Sequence, residues 1–179
     1  MIYLALLRGI NVGGNTKVEM KKLKASFESL GLSSVRTYIN SGNVIFSDPR
    51  PAAKLTPLIE KIIAQDFSLN IRVILRDRDN INLLCQKIPA GWTNDNQQKT
   101  DVMFLWDEID NAEILNKITI NPAIERVLYL PGTLIWNIGR ENVVRGGGIK
   151  LIKTDLYTNM TVRNINTVRK LNDLMNQPA

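Results

Sequence analysis

Over residues 1–76 the apolar positions shift between strand-like and helical periods, in the order strand, helix, strand, strand, helix, strand. Ile2 to Arg8 opens on an unbroken apolar run, as a strand buried on both faces requires. Met20, Leu23, Phe27 and Leu30 recur at helical spacing, with Lys17, Lys21 and Lys24 opposite, and Gly31 ends that helix. In the next strand Val35, Thr37 and Ile39 face one side, and Arg36, Tyr38 and Asn40 face the other. Ser41, Gly42 and Asn43 turn tightly into Val44, Ile45 and Phe46, a hairpin signature. Leu55, Leu58, Ile59, Ile62 and Ile63 mark a second helix, which tolerates Pro57 only in its first turn, and Ile71 to Leu75 forms the last strand. This βαββαβ order is that of a ferredoxin-like unit, whose strand order 4-1-3-2 makes the apolar first and third strands central.

The second half partly repeats the theme. A helix through Ile81, Leu84, Cys85 and Ile88 leads to a loop from Ala90 to Thr100, rich in Asn and Gln, which is the best candidate for a junction. Val102 to Trp106 reads as a strand, Ala112 to Ile118 as a helix, and Arg126–Leu130 with Leu134–Ile138 as a hairpin through Pro131 and Gly132. Val168, Leu171, Leu174 and Met175 give a C-terminal helix one apolar face. The expected fold class is α+β: a ferredoxin-like N-terminal subdomain over 1–78, then a smaller βαββ-type subdomain with a C-terminal helix over 79–179, the two alternatively forming one compact unit. Cys85, Trp106 and Trp136 are read as packing residues, and Trp92 as packing or, in its polar loop, exposed.

Composition narrows the chemistry. The 179 residues contain no histidine, which removes His-dependent triads, histidine metal sites and histidine acid–base catalysis. One cysteine forms neither an intrachain disulfide nor a zinc cluster. No cofactor or metal site is implied: Asp107, Glu108 and Asp110 follow a strand, where a solvated acidic loop is the ordinary reading. The apolar run after Met1 lacks a basic flank and is far shorter than the roughly 20 residues of a membrane span, so a cytoplasmic protein without membrane attachment is expected. The net charge of +6 divides into +4 over residues 1–40, −2 over 41–138 and +4 over 139–179. Such basic ends suit an acidic ligand or nucleic acid.

Candidate binding residues fall in three polar segments. Arg8, Asn11, Gly13, Gly14, Asn15 and Lys17 run from the first strand to a helix start, where backbone N–H groups and the helix dipole suit an anion. Neither phosphate-loop nor dinucleotide spacing is present, and Thr16 with Glu19 is assigned to a capping box. The first two strands run parallel in a ferredoxin-like unit, so Asn40, Ser41 and Asn43 should converge with that loop. Arg163, Asn164 and Thr167 fall at helix-compatible offsets and could form one further polar patch, with Thr161 or Asn164 as a plain helix cap the alternative.

The segments LLRGINVGGN with KVEM, VRTYINSGNVIF and MTVRNINTVRKL resemble the family called domain of unknown function 1697, over blocks covering about a third of the chain. The resemblance implies an α/β protein with a ferredoxin-like portion, and brings no activity, cofactor or catalytic residue. Members often carry Trp in an Arg-Asn-Trp run where this chain has Arg163-Asn164-Ile165.

Three functions compete. The first is binding of a small acidic or phosphate-containing ligand at the end of the first sheet, with catalysis unassigned because the motifs supply donors but no obvious base. The second is nucleic-acid binding by the basic ends, although Asn43-Val-Ile-Phe46 lacks the aromatic pattern of an RNA-recognition strand. The third is a structural or interaction module whose Asn and Arg side chains only tie loops together. The oligomeric state is not legible.

Overall fold

The N-terminal apolar run becomes β1 (Ile2–Leu7), which pairs antiparallel with β3 (Asn43–Ser47) on one side and β4 (Val73–Asp77) on the other. With β2 (Ser33–Tyr38) antiparallel to β3, the sheet order is β2-β3-β1-β4, as the pattern predicts. The computed structural model describes residues 1–12 and 16–177. Helices α1 (Met20–Ser29) and α2 (Ala52–Phe67) supply the apolar stripes that this sheet needs. Leu23, Phe27, Leu55, Ile59 and Ile63 meet Tyr3, Ala5, Leu7, Val44 and Phe46 in one core. Leu4 and Leu6 on the other face of β1 are also fully buried, consistent with a strand apolar on both sides.

Several local details differ from the sequence reading. Helix α1 starts at Met20 with Glu19 as N-cap and no side-chain cap bond, so the Thr16–Glu19 capping box does not form. The approach to the helix is fastened instead by Asn11, a left-handed residue at φ 54°, whose amide grips Val18 from both sides. Strand β2 ends at Tyr38, because Ile39 turns left-handed at φ 46° and its side chain is exposed. Pro57 lies beyond the first turn of α2; Pro57 and Ala53 are both exposed, so water can reach the carbonyl that the proline leaves without an N–H. The fourth strand begins at Val73, two residues later than expected, where Glu60 Oε1 accepts the Val73 N–H at 2.8 Å.

The chain divides into two compact units, one of Met1–Asn82 with the segment from Leu171 onward, the other of Leu83–Lys170. The divisions fall inside α3 (Arg78–Lys87) and α7 (Ile165–Met175). The Ala90–Thr100 loop therefore belongs wholly to the second unit and is not a junction. Ile81 and Leu84 of α3 and Ile88 just past its end are buried, and Cys85 is half-buried.

The second unit contains β5 (Gln98–Leu105), α4 (Ile114–Lys117), β6 (Glu125–Leu130), β7 (Thr133–Gly139), α5 (Gly147–Leu151), α6 (Asp155–Thr158) and β8 (Met160–Asn164). Its sheet runs β6-β7-β5-β8, the order of the first sheet again, with all neighbours antiparallel. The α+β class holds, and the second unit has one strand more than the βαββ reading. That strand, β8, is part of what the sequence reading took for a polar helix start.

Candidate ligand-binding site

Alternation along β5 places Lys99, Asp101, Met103 and Leu105 on one face of the second sheet. Register brings Ile138 opposite Lys99, Trp136 and Asn164 on either side of Asp101, and Val162 opposite Met103. One end of this face is core: Leu105, Leu134, Ile114, Leu151 and Met160 are buried together. Toward the Lys99 end the packing opens into a cavity of about 430 Å³, floored by Met103, Trp136, Ile138 and Val162. Ile149, Ile152 and Val143 wall it, the last from the short 3-10 segment Arg140–Arg145. Its size falls within the roughly 300–1,000 Å³ of small-molecule sites.

The wall formed by α5 depends on a buried carboxylate. Glu125 is 1% exposed, and its oxygens accept the Trp136 Nε1–H at 2.8 Å, the Asn121 N–H at 2.6 Å and the Gly147 N–H at 3.0 Å. These bonds tie β6, β7 and the first residue of α5 to one point. Two of the three successive glycines exclude a side chain: a Cβ on Gly146 would meet the Ile138 side chain and the Glu125 carboxylate, and one on Gly147 would collide with the Thr119 carbonyl. Gly148 differs, since a Cβ there would stand 3.8 Å from the Trp136 indole, an ordinary contact on the cavity side.

Polar groups gather at the cavity's open end. Lys99 Nζ lies 2.9 Å from Asp101 Oδ2, with both side chains partly shielded from solvent. Arg140 donates from Nε to the Asp95 carbonyl at 2.9 Å and from Nη2 to Asn94 Oδ1 at 3.2 Å. The Asn94 backbone carbonyl is held in turn by Asn166 Nδ2 at 2.8 Å. Asn164 Oδ1 accepts the Thr167 N–H at 2.9 Å, so Asn164 caps α7 while lining the cavity.

The residues predicted from sequence are divided between the two units. Gly13, Gly14 and Asn15 lie outside the described residues. Asn11, Lys17 and Asn40 line one groove at the end of the first sheet, beside Val18, Glu19 and Met20. Arg8 and Gly42 are joined to the same end of the sheet through backbone bonds, Arg8 N–H to Arg72 and Leu7 N–H to Gly42. The topological convergence is therefore present, but much of its donor capacity is spent internally. Asn11 Nδ2 donates to the Asn40 carbonyl at 2.8 Å and to Val18 at 2.9 Å, and Asn11 Oδ1 accepts the Val18 N–H. Asn43 is fully buried, donating to the Tyr38 carbonyl and to the Ser41 hydroxyl across the hairpin turn.

The expected helical patch of Arg163, Asn164 and Thr167 does not form, because Arg163 belongs to β8 and Thr167 to α7. Arg163 is 6% exposed and donates to the Thr161 hydroxyl and the Val162 carbonyl; burial pulls its guanidinium down to about 10. Asn164 alone of the three lines the cavity. Sequence reasoning missed Lys99, Asp101 and Arg140. The polar-to-apolar change along one face of β5, from Lys99 and Asp101 to Met103 and Leu105, was the available signal. Of the acidic cluster, Asp110 Oδ1 accepts the Tyr129 hydroxyl and the Gly132 N–H, a loop-fixing role. Among the described residues, no three His, Cys, Asp or Glu side chains are grouped to hold a metal ion. None of the described helices is long and apolar enough to cross a membrane.

The family described as "Protein of unknown function (DUF1697)" matches residues 1–136. The chain belongs to the DUF1697 family. No curated protein matches it. Among solved structures it is similar to that of the conserved bacterial protein SP0830 from Streptococcus pneumoniae, with 27% identity, a TM-score of 0.84, and coverage of 97% of this chain and 98% of the other. The DUF1697 match takes in Met1–Asn82 of the first unit and the second unit as far as Trp136, so Arg140, α5 and Asn164, like the first unit's segment from Leu171, lie past its end. The likeness to SP0830 extends over those later elements as well.

Proposed function

We propose that this DUF1697 protein binds a small molecule in the cavity over the second sheet. The observation that carries the reading is that one sheet face changes from closed apolar core to open cavity where Lys99, Asp101, Arg140 and Asn164 converge. A well-formed apolar floor with a few convergent polar groups is the usual anatomy of a ligand site. Binding is the role this supports; the groups present assign no reaction.

The test is ligand-observed NMR with phenylacetate, phenyl phosphate, phenylacetamide and phenethylamine, read alongside protein amide shifts at Gly148 and Ile149. At least one compound should bind with submillimolar affinity and shift those resonances. Gly148→Leu, whose first side-chain atom fits and whose remainder would occupy the cavity, should abolish the binding. Binding by no compound, or undiminished binding to Gly148→Leu, would overturn the reading.

A second reading retains anion binding at the end of the first sheet. It is favoured by the shared groove of Asn11, Lys17 and Asn40, in which exposed Lys17 supplies the charge. Titration with inorganic phosphate should shift amides near Lys17 in the parent and not in Lys17→Gln; absence of any shift in the parent would remove this reading.

A further inference from the structure

The hydrogen-bonding inventory of the second-unit cavity specifies the class of its ligand, an inference that rests on the cavity reading above. Asn94 has its amide oxygen committed to Arg140, and Asn164 has its own committed to the Thr167 N–H. Each amide oxygen keeps one lone pair, whereas both Nδ2 donors of each amide remain to offer, so the two side chains bring more donors than acceptors. Lys99 carries three N–H donors, and its ion pair with Asp101 at 2.9 Å does not exhaust them. Arg140 uses Nε on Asp95 and one Nη2 hydrogen on Asn94, which leaves the other Nη2 hydrogen and both Nη1 donors. Asp101 is the carboxylate among the described lining residues, and its charge is already matched by Lys99. The rim is thus rich in donors, and its net charge of +1 comes from Lys99 and Arg140 against Asp101.

We infer that the cavity takes a small organic acid: an apolar body against Met103, Ile138, Ile149 and Val162, with one oxyanion head, carboxylate or phosphate, among Lys99, Arg140, Asn94 and Asn164. An oxyanion accepts from several donors at once and is the stronger partner for charged ones. A neutral amide brings N–H groups that would face other donors. An ammonium head would meet Lys99 and Arg140 as like charges. A bare inorganic anion would leave the apolar floor uncovered, so the head alone is not the ligand.

The four phenyl compounds named above separate these cases, since they share a ring and differ chiefly in the head. Phenylacetate or phenyl phosphate should bind at least tenfold more tightly than phenylacetamide, and phenethylamine should bind more weakly than the amide. The tighter of the two acids identifies the head as carboxylate or phosphate. Arg140→Gln should shrink the acid-to-amide affinity ratio several-fold, and raising the salt concentration should shrink it too. The ratio is measured within each variant, so a change in its overall stability does not imitate the result. Equal affinity for acid and amide, or preference for the amine, would overturn this inference and leave the cavity reading standing. Failure of all four to bind would overturn both.

Discussion

Replacing Glu125 by alanine removes the acceptor that gathers two buried donors, the Trp136 Nε1–H and the Gly147 N–H, together with the part-buried N–H of Asn121. A buried donor left without an acceptor costs about 1–3 kcal/mol, so the expected loss from the two buried donors is at least about 2 kcal/mol. That is a large share of a typical domain stability of about 5–15 kcal/mol. Glu125→Gln keeps one acceptor oxygen but turns an NH2 toward a donor, and its loss should fall between those of the parent and the alanine variant. Urea unfolding followed by far-UV circular dichroism and tryptophan fluorescence gives the free-energy difference. Amide hydrogen exchange at Gly147 gives the local readout, because the bond to Glu125 is what anchors the start of α5. Exchange there should accelerate in both variants, and phenylacetate binding should weaken as the cavity wall loosens. A loss below about 1 kcal/mol in Glu125→Ala, or unchanged protection at Gly147, would refute the argument that this carboxylate holds the helix in place.

The neighbouring glycines should respond in opposite ways to alanine. Gly147→Ala forces a methyl against the Thr119 carbonyl and should cost at least about 2 kcal/mol, whereas Gly148→Ala has room and should be neutral or stabilising by up to about 1 kcal/mol; equal melting temperatures would disprove the packing account. Asn11→Ala should lose about 1–3 kcal/mol in denaturant unfolding through its bonds to Val18 and Asn40, and Asn11→Gly should lose no more than that, because glycine relieves the left-handed backbone; an unchanged midpoint would mean that the loop is fastened elsewhere. The Asp48 carboxyl is held below its usual range, chiefly by the Arg50 side-chain hydrogen bonds at 2.8 Å. Its depressed value means that the charged form contributes stability above the ordinary carboxylate pKa of about 3.9 and loses it as pH falls below that value. Melting temperatures of the parent and Asp48→Asn should therefore differ at pH 7 and draw together at pH 3; a constant difference would contradict the assignment.

The first sheet is legible along the chain. Its order follows from hydrophobic period, because a strand apolar on both faces can be satisfied only in a sheet interior, and β1 with Leu4, Leu6 and Leu7 fully buried meets that requirement. The sequence also located the end of the sheet where Asn11, Lys17 and Asn40 meet, since two parallel strands must finish together. Tertiary structure decided how those polar groups are used. Residue type shows that asparagine can donate and accept, but only the fold shows Asn11 turned onto Val18 and Asn40, and Asn43 buried across its own hairpin. Strand β8 escaped the sequence reading because its polar residues fall on both faces, Thr161 and Arg163 on one and Asn164 with Met160 and Val162 on the other, so no clean two-residue period marks it. Burial of Arg163 is settled by what surrounds it in the folded chain. The second-unit cavity lay furthest from the sequence. Lys99, Trp136, Arg140 and Asn164 are distant along the chain, and it is the antiparallel register of β5 with β7 and β8 that brings these residues to one end of one face.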